Sequence, residues 1–256
     1  AARQARKLVV DGDVLGVIGP FSRATARAVA DLLSEAGLAW LVPASAPDEA
    51  IAAHSNAFRL FASDVALAEA AIEQAISAEM PGAARRVAVS SRGDFAAPLR
   101  AAAQRLGVYR PLEEPLEGEG FAVALGGNGE QVAEELLNVA GDHGAVMIAG
   151  PEAGRAVVAQ RAGAAAEGLI WVSSVPPADA GALPAAFVSG YQTLAGGPPR
   201  PSSILAYDAT NVMLDGIAFD IARNARPARQ GVIAALPATV SAGLSGRIRF
   251  DEQGTW

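Results

Sequence analysis

The 256-residue chain contains no cysteine, which rules out a disulfide framework or a thiolate metal site and leaves the redox compartment open. It has two histidines, His54 and His143. They stand far apart, and neither has a ligand-spaced partner, so a catalytic metal and a Ser-His-Asp triad are both disfavoured. Each reads as a surface residue. Aromatic residues make up 5% of the chain, and 20 Lys plus Arg face 27 Asp plus Glu, for a net charge of -7. No basic stripe is interleaved with aromatics, so no nucleic-acid partner is expected. No apolar run reaches membrane-spanning length, and no signal peptide is visible, although a mature secreted chain would have lost one. There is no GxSxG elbow, Walker A or HExxH motif, which argues against an α/β enzyme.

What is present is a 51% hydrophobic chain, enough for a sizeable core and for two lobes. It is organised around Val14 to Thr25, VLGVIGPFSRAT. The apolar run reads as a buried parallel strand, and Gly-Pro-x-Ser as a turn into a helix ending near Ala36. In an open α/β sheet, ligands sit beyond the carboxyl ends of the strands, where backbone N–H groups and small hydroxyls face a crevice. Ser22 and Thr25 are therefore the first candidate contacts, though Ser22 equally suits a helix N-cap. Leu38 to Val42 reads as a second buried strand, and its turn, Pro43 to Pro47, leaves the same sheet edge. That places Ser45 beside the Ser22 turn.

The α/β rhythm continues with a strand at Ala57 to Phe61 and an alanine-rich helix to about Met80. Pro81-Gly82 reads as a break, and the pattern restarts at Arg86 to Ser90. Helices are expected over about 97–106, 130–139 and from Pro151 to Arg161, with strands near Val108 and at Phe121–Leu125, Ala145–Ala149 and Leu169–Ser173. Glu113 to Gly120 reads as a solvated loop. Gly126-Gly127-Asn128-Gly129 follows a strand but lacks the full spacing and the downstream acid of a dinucleotide-binding turn. Composition shifts at Pro176-Pro177. Helices follow at Pro184 to Leu194, with Phe187 and Tyr191 on one face as core, at Ser203 to Arg223 and at Gly231 to Leu236. Arg247 to Phe250 alternates as a strand.

In order, the stretches KLVVDGDVLGVIGPFS, EAGLAWLVPASAP, NAFRLFASD, RRVAVSSRGDF, AVMIAGPEAGRAVVAQ, AEGLIWVSS, FVSGYQTLAG, AYDATNVMLDGIA and LSGRIRFDEQG resemble the type I periplasmic binding proteins, specifically the branched-chain amino-acid (Leu/Ile/Val-type) substrate-binding family of ABC importers. The resemblance runs over nearly the whole chain. It implies an α/β fold of two lobes, with parallel sheets flanked by helices, that close over a small solute. The first lobe would take residues 1–77 and 198–238, the second 78–197, with the terminal strand and tail, 239–256, packed on the second. It implies a non-enzymatic protein without a cofactor, located in the periplasm or anchored at the cell surface. Its ligand would be an amino acid or small carboxylate, and its partners ABC permease subunits at the membrane. A sensory or regulatory ligand-binding domain of the same fold is the alternative. First-lobe ligand contacts would come from Phe21, Ser22, Arg23, Ala44, Ser45 and Ala46, and second-lobe contacts from Phe95, Gly150 and Glu152.

Several positions depart from the family pattern. Ala46 stands where a threonine is usual, Phe95 where a tyrosine is common, and Gly150 where a tyrosine often precedes the Pro-Glu pair. The text between Ala162 and Ala166 is shortened where the family carries the acid for a ligand's ammonium group, leaving Glu152 as a stand-in. The family's opening strand, helix and strand have no counterpart before Ala1, so a first lobe with an exposed sheet edge is expected, in a reduced family member or from an incomplete record.

Overall fold

The computed structural model describes residues 1–77, 86–112, 121–139, 146–174, 183–252 and 254–256. The expected break at Pro81-Gly82, the loop from Glu113 to Gly120, His143 and the Pro176-Pro177 shift lie outside these residues. The chain divides into two compact units, Ala1–Ser63 with Ser174–Trp256, and Asp64–Ser173.

The first unit opens with α1 (Ala2–Val10), β1 (Gly16–Ile18), α2 (Arg23–Glu35), β2 (Ala39–Val42), α3 (Asp48–Ala52) and β3 (Ala57–Arg59). The three strands form a parallel sheet with β2 at its centre, Val17 opposite Trp40 and Leu41 opposite Phe58. All four residues of β2 are buried, as an uninterrupted apolar run requires when both faces are covered. Burying Trp40, Leu41 and Val42 contributes roughly 1.5 to 3 kcal/mol each. Helix α2 turns Ala26, Val29, Ala30 and Leu33 inward at helical spacing, against Leu38, Trp40 and Val42. It ends at Gly37, whose φ of 63° suits a left-handed helix terminus.

The second unit comprises α4 (Asp64–Ser77), β4 (Arg86–Val89), α5 (Ala96–Arg105), β5 (Tyr109–Pro111), β6 (Phe121–Leu125), α6 (Gly129–Val139), β7 (Val146–Ala149), α7 (Ala156–Ala162) and β8 (Ile170–Trp171). Its parallel sheet runs β5-β4-β6-β7-β8. The strand order reverses between β4 and β6, the position at whose carboxyl edge doubly wound sheets take their ligands.

The chain then returns to the first unit through α8 (Ala185–Ala195), α9 (Pro201–Asn224), α10 (Arg229–Ala235) and the antiparallel hairpin β9 (Ser241–Gly243) and β10 (Gly246–Ile248).

Three expected boundaries move, and one of them is the return to the first unit, which falls at Ser173/Ser174 instead of at residue 198. Helix α4 packs on α5, β4, β6 and β7, so the first boundary falls at Ser63/Asp64 instead of after Ser77. The residues after Ala238 join the first unit, not the second: β9 packs on α9, Phe250 meets Phe58 at 5.1 Å between ring centroids, and Thr255 bridges Arg59 in parallel. The two segments at the boundaries are bonded within the first unit, Ala62 N–H donating to Ser174 Oγ at 2.6 Å.

Local differences are smaller. The expected helix after Gly150 is split into a 3-10 turn, Pro151–Gly154, and α7, because Arg155 is extended at φ -78°, ψ 141°. The strand at Leu169 to Ser173 shortens to Ile170–Trp171. Phe187 and Tyr191 stack with Tyr207 at the surface, the Phe187–Tyr207 centroids 5.1 Å apart, and α8 buries none of its residues fully.

Candidate functional site

In the first unit, the turn after β1 is set by β2. Gly19 N–H donates to Leu41 O at 2.9 Å, and the buried Trp40 indole N–H donates to Gly19 O. The chain then reaches Ser22, the N-cap of α2, whose Oγ accepts from Thr25 N–H at 3.4 Å and donates to Thr25 Oγ1 at 2.7 Å. The two first-choice hydroxyls are thus bonded to each other, and Ser22 does cap its helix. Phe21 beside them is 44% exposed.

Arg23 opens α2 and is buried, not spread on a solvated helix face. Its Nη1 donates to Ser45 Oγ at 3.0 Å, joining the turn after β1 to the turn after β2. Parallel pairing of β1 with β2 places the two turns together, as their shared sheet edge requires. Ser45 and Ala46 are buried and Ala44 is half-buried. Around this contact lie two ion pairs, Arg27 to Glu49 at 2.6 Å and Arg59 to Asp48. Burial raises the Glu49 pKa, but the Arg27 hydrogen bond, its own backbone N–H and the charges of Arg27 and Arg23 together hold the carboxyl below its ordinary value. The N-terminus of α2 adds positive potential at the same edge.

In the second unit, Phe95 and Gly150 meet at the carboxyl edge of the sheet. Phe95 is 2% exposed, and a β-carbon built on Gly150 would lie 2.5 Å from its Cδ1. The glycine thus makes room for the ring. Phe95 N–H donates to Gly126 O at 3.1 Å, which closes the turn after β4 onto the turn after β6. A β-carbon on Gly126 would lie 2.3 Å from Ala96 N, and one on Gly93, at φ 86°, would lie 2.4 Å from Gly127 Cα. Gly126 of the GGNG turn is therefore used in backbone packing, and Asn128 caps α6 through Oδ1, accepting from Glu130 N–H at 3.0 Å and Gln131 N–H at 3.1 Å. Glu152 follows in the 3-10 turn, its side chain 14% exposed and paired with Arg155 at 2.7 Å.

No family model matches the chain, and neither does any curated protein. Solved structures do match. A leucine binding protein from Thermotoga maritima aligns with a TM-score of 0.78 at 22% identity, over 99% of this chain and 77% of its own. A periplasmic binding protein type 1 from Bordetella pertussis Tohama I aligns with a TM-score of 0.77 at 17% identity, over 98% and 77%. The fold is that of the type I periplasmic binding proteins. An ABC transporter solute binding protein from R. palustris, in complex with benzoate, shares this periplasmic-binding-protein fold with a TM-score of 0.73 at 18% identity, over 99% and 75%.

Within this type I fold, the two turn pairs occupy strand-end positions in their own units: Ser22/Arg23 with Ser45 in the first, Phe95 with Gly150 in the second. Glu152 is committed to a neighbouring arginine. His54 is half-buried, with Nε2 3.3 Å from Asp31 Oδ1, and belongs to neither pair. Among the described residues, no group of three His, Cys, Asp or Glu side chains could hold a metal, and no helix is long and apolar enough to cross a membrane.

The supporting residues that pattern reading missed are acids on α9 and one arginine. Asp208, fully buried, accepts from Leu244 N–H at 2.7 Å, from Ser245 N–H at 2.9 Å and from Ser245 Oγ, clamping the β9–β10 turn. Asp215 accepts from Ser241 Oγ at 2.6 Å, and Asp220 from Ala228 N–H at 2.8 Å. Arg229 donates to Val14 O, Ala36 O, Val9 O and Asp11 O at 2.6 to 3.1 Å. The available signal was an acid at the centre of an otherwise apolar helix.

Proposed function

We propose that the protein is an extracytoplasmic solute-binding protein of an ABC importer that takes a small amino acid or related carboxylate. The observation that carries this reading is the Arg23 Nη1 to Ser45 Oγ contact of 3.0 Å, which gathers two strand-end turns, a buried cation and the N-terminus of α2 at one sheet edge. Such an edge supplies hydrogen-bond donors and positive potential, the needs of a carboxylate. Two proteins of the same fold are described as a leucine binding protein and as a benzoate complex, and leucine and benzoate have the carboxylate in common.

The ligand would dock through its carboxylate on Phe21, Ser22, Arg23, Ala44, Ser45 and Ala46 in an interlobe cleft. Hinge closure would then bring Phe95, Gly150 and Glu152 to its other side. Water exclusion on closure strengthens each charged hydrogen bond, so losing one buried partner would cost about 1.5 to 3 kcal/mol. The protein would bind and release without chemistry, presenting its cargo to permease subunits at the membrane from the periplasm or the cell surface. Isothermal titration calorimetry against the common L-amino acids and small carboxylates, with leucine and benzoate included, tests this. Saturable binding of at least one supports it, and silence across the panel removes it.

A further inference from the structure

The chain passes between its two units at Ser63/Asp64 and at Ser173/Ser174. Before the first passage the backbone is fixed in the first unit. Leu60 is fully buried and its N–H donates to Val42 O at 3.0 Å, Phe61 is buried, and Ala62 N–H donates to Ser174 Oγ at 2.6 Å. Directly after that passage Asp64 opens α4, which packs on α5, β4, β6 and β7 of the second unit. At the second passage, Val172 N–H donates to Ala149 O at 3.2 Å within the second unit, and Ser174 is tied to Ala62 within the first. A single residue therefore stands between anchored neighbours on each passage, Ser63 on one and Ser173 on the other. The bond that anchors Ala62 also anchors Ser174, and it draws together two passages 112 residues apart in sequence.

We infer that the Ser174 hydroxyl is a positioning group that confines motion between the two units to Ser63 and Ser173. Units joined by short connections move relative to one another by default, and a few residues absorb that motion through their φ and ψ angles. Two single-residue hinges held side by side leave one soft direction, rotation about the line that joins them. Any other displacement must distort an anchored neighbour. Without the Ser174 bond the first hinge extends back to Ala62 and the second forward to Ser174, and that restriction is lost. Serine suits the task, because its oxygen accepts a backbone N–H at the end of a short side chain with little rotamer freedom to lose. The inference goes beyond the cargo proposed above and does not depend on it, since it concerns the unliganded chain.

The chain has no cysteine, so one nitroxide label can be placed in each unit through Ala222→Cys on α9 and Ala101→Cys on α5, both at exposed positions. Double electron–electron resonance on the unliganded, doubly labelled protein then reads the spread of distances between the units. Ser174→Ala should broaden that distribution relative to the labelled parent, and Ser174→Thr, which keeps the hydroxyl, should retain the parent width. Ser63→Gly and Ser173→Gly should broaden it as well, because they loosen the hinges themselves. Ala62→Gly keeps the N–H and its bond and should leave the width unchanged. Amide exchange at Ala62 should quicken about 5- to 10-fold in Ser174→Ala and stay at the parent rate in Ser174→Thr. Thermal unfolding identifies any variant that fails to fold, and if Ser174→Ala is one, the contrast between Ala62→Gly and Ser63→Gly decides. The inference is overturned by a parent-width distribution in folded Ser174→Ala, by unchanged Ala62 exchange in that variant, or by Ala62→Gly broadening the distribution as much as Ser63→Gly does.

Discussion

The ring of Phe95 occupies the space that a side chain on Gly150 would need, with Cδ1 2.5 Å from the position of a β-carbon there. The backbone at Gly150 is ordinary, at φ -67°, so the requirement for glycine is steric and not conformational. Gly150→Ala should therefore act as an overpacking change and cost about 1 to 3 kcal/mol, read as a lower urea midpoint at unchanged slope. Combining it with Phe95→Leu should recover part of that loss. An alanine tolerated at 150 without loss would show that the ring is free to move aside.

Asp208 makes a second prediction, because it is fully buried and receives two backbone N–H groups and a hydroxyl from the β9–β10 turn. Asp208→Ala leaves those donors without an acceptor and should destabilise the protein by about 3 kcal/mol. Asp208→Asn keeps the shape and one acceptor oxygen but turns an NH2 group toward a donor, so it should fall between. Hydrogen exchange at Leu244 and Ser245 should rise by the largest factor in both variants. Equal exchange in wild type and Asp208→Ala would show that the turn holds itself.

These pairs also show which parts of the molecule are legible from sequence. The run Leu38 to Val42 and the Pro43 turn reveal a buried strand and its exit, and parallel geometry alone then places Ser45 beside the Ser22 turn. The allegiance of α4 is not legible, since a helix of alanines with Leu67 and Ile72 inside offers no mark of which sheet it will cover. β9 escapes notice because Ser-Ala-Gly has none of the branched or aromatic residues that signal a strand. Gly150, Asp208 and Arg229 are explained only by partners tens to hundreds of residues away, and a local pattern holds no information about those. The same applies to Arg23, whose buried guanidinium donates to a serine in the next turn.

Glu49 supplies a pH prediction. Its carboxyl is held below the ordinary value, 4.5, so its charged form is favoured by folding. A depressed acid contributes stability that is present above the unfolded value and lost as pH falls through the folded one. Wild type should therefore exceed Glu49→Gln in stability at pH 7, and the difference should vanish on acidification below 4.5. The side chain is 67% exposed, so the gap should also shrink in high salt. Urea unfolding of both proteins across pH at two salt concentrations checks this, and a gap that persists at the acid end would place the effect elsewhere.

Arg229 carries the widest-reaching prediction. One guanidinium donates to four carbonyl oxygens, those of Val9 and Asp11 at the end of α1, Val14 before β1 and Ala36 after α2. Three of these groups sit at helix C-termini, where unpaired carbonyls and the helix dipole both favour a cation. Arg229→Lys keeps the charge but cannot span four acceptors from one planar fork, whereas Arg229→Met removes every donor. The expected order of stability is wild type, then Lys, then Met, with a total loss of about 2 to 4 kcal/mol. The loss should be local as well as global: hydrogen exchange should quicken in α1 and at the entry to β1 before it does in β6 or β7 of the other unit. If lysine matched arginine, charge at the helix ends would account for the site, and the four-way fork would contribute nothing further.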